Sequence, residues 1–437
     1  MRRLRFLHVA WAWVLCVAEV FGAGGTANWP QFRGVGGDGH HGEALPLRWS
    51  ETENVTWKVA VHGRGWASPV IWGDRVWLAT ATEDGRELSV VGVDRGSGEV
   101  VHDLKLFEVE EPQFAHRFNS YASPTPVVEE GRLYVSFGSP GIACLDTADG
   151  RVIWERRDFV CDHFRGAGSS PILYGDLLIH PFDGSDRQYV AALNKETGET
   201  VWMTERTVDF RDLGTDGKPK EGGDLRKAFA TPHVANFGSG DVLLSSGAMA
   251  HYAYEPLTGR ELWRVEDRSA HSASARTAVG HGLVYILAGW SAGPLLAVRP
   301  GLAGEVLDVA AEPVAGQQLE LVWKVRRSVA RKPSVTLVDD LLFMVDDGGI
   351  ASCLDAMTGE EVWRERVGGD HSASPIYAAG RLYFCNEEGK TTVIAASRTF
   401  EVLAENKLDE GFMASPAASG GVLFLRTRTH LYRIEER

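Results

Sequence analysis

The chain has 437 residues, with 59 acidic and 45 basic side chains and a formal charge of −14. That charge excludes broad electrostatic attraction to nucleic acid or to an anionic membrane surface. The length exceeds what one ordinary hydrophobic core supports, so either several domains or a repeat architecture is required.

The first stretch, Met1 to Ala27, reads as a secretory leader. Arg2, Arg3 and Arg5 precede an apolar core from Phe6 to Phe21, and Gly25-Thr26-Ala27 supplies a small-residue cleavage site. Export with cleavage is expected, to the periplasm or beyond. No later stretch is apolar enough to cross a membrane. Residues 28–53 form a lead-in that carries Trp29 and Phe32 and is expected to pack across the following domain. His40 and His41 in this segment read as solvated loop residues.

From residue 54 onward the chain repeats. Leu145-Asp146 leads to Gly150 and Trp154, Leu193-Asn194 to Gly198 and Trp202, Tyr254-Glu255 to Gly259 and Trp263, and Leu354-Asp355 to Gly359 and Trp363. In each copy a polar residue stands four before the Gly and Trp four after it. Val93-Asp94 leads to Gly98 in the same register, with His102 in the Trp position.

In phase with this run strand openings of a small residue, Ser or Thr, and Pro: Ala67-Ser68-Pro69, Ala122-Ser123-Pro124, Ser169-Ser170-Pro171, Ala230-Thr231-Pro232, Ala373-Ser374-Pro375 and Ala414-Ser415-Pro416. Ala273-Ser274-Ala275 and Lys332-Pro333-Ser334 are variants. Between openings lie four short apolar or alternating runs bounded by Gly, Asp and Asn, the signal of strands and hairpins.

Four strands per unit of roughly 45 residues, repeated, predict propeller blades. The expected fold is all-β: an eight-bladed β-propeller of four-stranded antiparallel blades over residues 54–437. The Trp belongs on each outer strand, packed against the neighbouring blade. The last unit, from Ala414, has three strands, and Asn54 to Val59 is a Trp-bearing strand with no blade before it. This N-terminal strand is expected to complete the last blade and so remove an open edge.

Four cysteines follow the leader: Cys144, Cys161, Cys353 and Cys385. Export permits disulfides, and four thiols allow three full pairings. Three of them sit in expected strands, where Cys behaves as a small apolar residue.

Long loops at Phe107–Tyr121, Arg157–Gly168 and Arg206–Phe229 share the face around the channel mouth, and Pro300–Leu319 is an insertion in the fifth unit. The residues just before each inner strand should ring that mouth: Trp66, Tyr121, Gly168, Phe229, Ser272, Arg331, Ser372 and Met413. Near them stand polar groups that folding does not demand. These are His116, Arg117 and Asn119 beside Tyr121, then His163 and Arg165, and Asp183 and Asp186 in a turn of the third unit. His271 and His371 open near-identical His-Ser-Ala-Ser tetrads. As ligand groups, they would hold an anionic or polyhydroxylated molecule, and a histidine would act there as acid or base. As repeat consensus, the paired tetrads would cap turns. No motif of a serine hydrolase, phosphate loop or zinc protease is present.

On its Asp-x-x-Thr-Gly-x-x-x-Trp copies, its Ala-Ser-Pro openings and the segment Trp29-Pro30-Gln31-Phe32-Arg33-Gly34, the chain resembles the exported PQQ-like β-propeller repeat proteins. That resemblance covers nearly the whole mature chain and implies two kinds of activity. One is dehydrogenation of alcohols or sugars with pyrroloquinoline quinone and Ca²⁺, often beside a disulfide of adjacent cysteines. The other is scaffolding, as in the propeller lipoprotein of outer-membrane protein assembly. Adjacent cysteines are absent here, and no lipid-anchor signal is found.

The expected function is therefore an exported, monomeric binding protein. It takes a small polar ligand or an envelope protein on its loop face, with no assigned catalysis or metal. The alternatives are a quinone-dependent oxidoreductase and a hydrolase or lyase acting on carbohydrate.

Overall fold

The computed structural model describes residues 28–291 and 293–436; the leader expected over Met1 to Ala27 lies outside the described residues. Eight antiparallel sheets follow one another along the chain, each built in order from an inner to an outer strand. Blade 1 is Val70–Trp72, Arg75–Ala81, Glu87–Asp94 and Val100–Glu108. Blade 8 is Ala417–Ser419, Val422–Arg426 and His430–Ile434, with Val55–Ala60 as its outer strand, antiparallel to His430–Ile434. The ring is thus closed by hydrogen bonds between the two ends of the chain, as the unpaired Trp-bearing strand predicted.

The middle strands of each blade are apolar and buried, because both faces of a blade pack on neighbours. Leu177–Asp183 and Leu341–Val345 are buried at every position. Outer strands are half solvated and carry alternating charged residues, as in Glu361–Arg366.

The Trp residues of the repeat join blade to blade. Trp57 Nε1 donates to the Arg95 carbonyl at 3.1 Å, Trp154 to Lys195 at 2.9 Å, Trp202 to Pro256 at 3.0 Å, Trp323 to Ala356 at 3.0 Å and Trp363 to Ser397 at 3.0 Å. Each acceptor lies in the turn before the next blade's outer strand. The turn glycine accounts for the fixed spacing. Gly198 has φ +74°, and a Cβ on it would stand 2.7 Å from the Trp154 ring. Only a residue that tolerates this backbone and brings no side chain lets the indole lie flat on the turn.

The regularity fails in places. His102 stands where blade 1 would have its Trp and instead stacks on Trp77 with ring centroids 5.1 Å apart. Blade 4 gains a fifth strand: Glu305–Asp308, from the insertion in blade 5, pairs parallel with Glu261–Glu266 over Trp263.

A second ring surrounds the axis. In seven of the eight blades the N–H that opens the inner strand donates to a hydroxyl on the next blade: Ser68 to Thr125, Thr125 to Ser170, Ser170 to Thr231, Arg276 to Ser334, Ser334 to Ser374, Ser374 to Ser415 and Ser415 back to Ser68, all at 2.8–3.2 Å. This corrects the register of three openings. In blade 2 the ring residue is Thr125, not Ser123; in blade 5 it is Arg276, not Ser274; in blade 6 it is Ser334, reached without a following Pro. Long loops before blades 2 and 5 bring extra Ser-rich turns that imitate the motif.

Arg276 breaks the hydroxyl ring and has another use. Its Nη1 donates to the Phe32 carbonyl at 3.0 Å, so it anchors the lead-in inside the channel. The lead-in touches several inner strands in turn. Trp29 bridges Ile71, Pro30 accepts from Val128, and Arg33 donates to the Val335 carbonyl and Thr336 Oγ1. His40 and His41 are not solvated loop residues. They form a two-residue strand parallel to Ile376–Ala378, and their Nε2 atoms pair with the Leu337 and Gly420 carbonyls. An inner strand's free edge offers backbone partners that the loop reading ignored. Gly37 packs on the Arg276 guanidinium, where any Cβ would lie 1.9 Å from Nη1.

All four described cysteines are buried and free. Burial pushes the thiols of Cys144, Cys353 and Cys385 up to about 12.

If Val55–Ala60 closes the ring as described, Trp57→Ala should lower stability by about 2–4 kcal/mol, since it removes ring burial at the closure. Urea unfolding read by intrinsic fluorescence tests this. A midpoint equal to that of the parent would show that blade 8 closes without it.

Candidate functional site

The inner strands all begin at one end of the channel, and there the loops enclose a cavity of about 560 Å³. Phe32, at the tip of the lead-in, lies at its floor among the hydroxyls of the axial ring. The channel is therefore a blind pocket rather than a through-passage at this level.

The walls come from the residues expected before each inner strand. Trp66, Gly168, Phe229, Ser272, Arg331, Ser372 and Met413 all line the cavity. Tyr121 does not; its ring packs on Gly85 of blade 1. The two-residue wider loop of blade 2 displaces it outward.

Of the singled-out polar residues, the structure brings His116, Asn119, Arg165 and His271 to the cavity wall. Asn119 is largely spent on the fold: its Nδ2 donates to the Arg165 and Ala167 carbonyls, and its Oδ1 accepts from Ser120 N and Ser123 Oγ. The others lie outside. Arg117 covers the Phe118 ring, 5.2 Å from its centroid. His163 is buried beside Cys161, where its Nε2 accepts from Ser139 N. Asp183 forms a buried ion pair with Arg206 at 2.8 Å. Asp186 accepts from the Asp162 and Arg187 amides. His371 is buried, and its own N–H donates to the Asp347 carbonyl.

Side chains that the sequence reading did not select complete the site: Phe118, Glu221, Asp224, Lys227, Trp290 and Lys332. Five of them lie in loops outside the repeat, so no periodic signal marked them; Lys332 belongs to the opening Lys332-Pro333-Ser334 and stands beside the expected wall residue Arg331. Trp290 reaches the mouth because Trp290–Ser291 pairs with Ala270–His271 as a small ribbon. Lys332 of blade 6 reaches across the mouth to Phe118 of blade 2, 6.0 Å from its centroid.

Four cationic side chains line the cavity (Arg165, Lys227, Arg331 and Lys332) against two carboxylates, Glu221 and Asp224. Asp224 is bonded to both Arg165 and Lys227. Burial raises its pKa, but these two cations outweigh burial and hold it at about 2. Burial lowers Lys227 despite Asp224. His116 and His271 are also lowered, by burial first and then by Arg165 and Lys227 respectively. Both imidazoles are neutral at pH 7 and can donate or accept. Cations also sit over the rim aromatics: Arg64 over Trp66 at 4.9 Å and Arg331 over Trp290 at 4.8 Å.

Among the described residues, no group of three or more His, Cys, Asp or Glu side chains converges as a metal site. The remaining carboxylates near the mouth are engaged by cations, Glu387 and Asp347 by Lys332. The residues present do not fit a Ca²⁺-held quinone, and no chemical step is routed through one.

The family model described as "Outer membrane protein assembly factor BamB" matches residues 47–157, 86–225 and 252–400. No curated protein matches the chain. Among solved structures, BamB from Moraxella catarrhalis is 12% identical with a TM-score of 0.59, over 88% of this chain and 97% of that one. A europium-containing methanol dehydrogenase is 12% identical with a TM-score of 0.63, over 94% and 98%. The quinohemoprotein alcohol dehydrogenase of Comamonas testosteroni is 13% identical with a TM-score of 0.65, over 94% and 80%. At these identities the likeness is one of fold.

The buried histidines make stability depend on pH. Burial holds His163, His233, His251 and His371 at about 4 and His180 at about 3. Unfolded histidine titrates near 6.5, so between about 6.5 and 4 the unfolded chain binds more protons than the native one. Stability should be full above pH 6.5 and fall as pH drops, with about four protons taken up on unfolding at pH 5. Thermal melting between pH 7.5 and 5 measures this; a flat midpoint would show that these rings are solvated.

Proposed function

The chain belongs to the propeller family of the outer membrane protein assembly factor BamB, and from that premise we propose that it is an exported binding protein. Its site is the blind cavity at the channel mouth, and its ligand is a small anionic molecule. The supporting observation is the lining itself: four cations and two carboxylates on the cavity wall of a chain whose net charge is −14, Lys332 pairing also with Asp347 and Glu387, with exposed aromatic rings beside them. Nothing in a propeller's cohesion calls for positive charge at the mouth, whereas selection of an anion does. The leader supports a periplasmic or secreted location. An envelope protein docking on the same loop face is the family's other precedent, and the cavity favours the small ligand over it.

Catalysis is not part of this reading. The wall carboxylate Asp224 is held ionised by two cations, so it offers no proton at neutral pH.

Calorimetric titration of the folded mature protein with a panel of small carboxylates tests the proposal, pyrroloquinoline quinone with and without Ca²⁺ among them. At least one carboxylate should bind saturably. The double variant Arg331→Ala, Lys332→Ala should weaken it about tenfold or more, with little change in melting temperature. Absence of binding by every anion would sink the proposal. Ca²⁺-dependent quinone binding would transfer the site to the oxidoreductase reading.

A further inference from the structure

The floor of the mouth carries hydroxyls whose donating capacity the fold leaves unused. Ser68, Thr125, Ser170, Thr231, Ser374 and Ser415 all line the cavity. Each accepts one backbone N–H from the preceding blade of the axial ring. A hydroxyl has two lone pairs and one hydrogen. The accepted bond therefore fixes each oxygen in place and leaves its hydrogen to be donated. Ser374 gives its hydrogen to Ser334 Oγ at 3.2 Å. For Ser68, Thr125, Ser170, Thr231 and Ser415, no protein acceptor stands within reach among the described residues. These five belong to consecutive blades, 8 through 4, and form an arc of donors around the axis.

Cations and carboxylates both surround this arc, the cations in slight excess. Directly below, Arg276 holds the carbonyl of Phe32, and its Nε is buried without a partner. Arg33 lies buried beside it, and Asp38 is the carboxylate that faces the pair. Above the arc, Arg165, Lys227, Arg331 and Lys332 look into the cavity. The carboxylates near them are Glu221 and Asp224, from the loop before blade 4, with Asp224 occupied by its two cations, and Asp347 and Glu387, which pair with Lys332. A set of pre-oriented O–H donors with cationic side chains above and below it, and with no carboxylate in the arc itself, suits an oxygen-rich anionic group.

The body of the ligand meets different chemistry. Trp66, Phe118 and Trp290 stand at the rim, each with one face covered by a guanidinium. The open faces of Trp66 and Trp290 are apolar surfaces on which the C–H side of a sugar ring packs, whereas the Phe118 ring also carries Lys332 and His116 and offers its exposed edge. Ser291 at the rim supplies a further partner for ring hydroxyls, whereas Ser123, Ser274 and Ser372 give their hydrogens to Asn119 Oδ1, the Ser272 carbonyl and Glu387 and are left to accept. We propose that the ligand is an acidic sugar whose carboxylate or sulfate sits on the arc of Ser68, Thr125, Ser170, Thr231 and Ser415, with its ring against Trp66, Phe118 and Trp290. This rests on the reading of the mouth as an anion-binding cavity and names the class of that anion.

The test is calorimetric titration of the whole mature protein with D-glucuronate, D-glucose 6-sulfate, D-glucose and pyrroloquinoline quinone. At least one acidic sugar should bind tenfold or more tightly than glucose, and the stronger of the two identifies the charged group. Ser170→Asp keeps an acceptor for the Thr125 N–H but replaces a donor by a carboxylate, so it should abolish acidic-sugar binding. Thr125→Ser with Thr231→Ser keeps both hydroxyls and should bind as the parent does. Should Ser170→Asp fail to fold, Thr125→Val takes its place, with an expected loss of about tenfold. Glucose binding as tightly as its acidic forms overturns the inference, as does a folded Ser170→Asp with parental affinity. Binding of the quinone or another carboxylate without either acidic sugar overturns it while leaving the anion site intact. If no anion binds, both fall.

Discussion

The architecture depends on the hydrogen bonds that pass around its axis. Inner strands of three or four residues are too short to hold neighbouring blades by backbone pairing, and in a radial arrangement they diverge outward. Seven of the eight instead donate their first N–H to a side-chain hydroxyl on the next blade. The bond satisfies a buried donor that no strand reaches, at a place where an unpaired amide would be costly. It also sets the rotation between blades, because a Ser or Thr oxygen is tied closely to its own backbone.

The break in this ring is as informative as its continuity. Blade 5 has Arg276 where the others have a hydroxyl, and its guanidinium holds the lead-in through the Phe32 carbonyl. The lead-in in turn uses the free edges of inner strands, bridging Ile71 on one side and pairing with Ile376–Ala378 on another. One substitution in the repeat thereby converts an open channel into a pocket with an aromatic floor. Closure at the periphery is independent of this. It rests on Val55–Ala60 completing blade 8 and on indoles lying over glycine turns.

Assembly factors and quinone dehydrogenases share this architecture because a ring of blades constrains almost nothing at its loop ends. What distinguishes this chain is the composition of its mouth. Cations from blades 3, 4 and 6 converge there, and Asp224 on the same wall is paired with two of them. Among the described cysteines, all are buried in blades or beneath loops and contribute to packing rather than to the mouth.

By itself, the sequence determined the eight blades, the inner-to-outer strand order and the closing strand. These follow from local patterns: a turn glycine four residues before Trp, and short apolar runs whose length suits only a half-turn of sheet. It also placed seven of eight wall positions, including Trp66, Phe229 and Arg331, since these are fixed by distance from a strand start. The tertiary structure alone decided the rest. Arg276 and Ser334 took their ring positions because a hydrogen bond between blades, not a Pro, defines the register, and Thr125, which Pro126 follows, took its place two residues after the first Ser-Pro of its loop. His163, Asp183 and His371 turned inward to partners far away in sequence or across a loop. Lys227 and Trp290 reached the cavity from irregular loops, where the path of the chain depends on what it packs against rather than on any period.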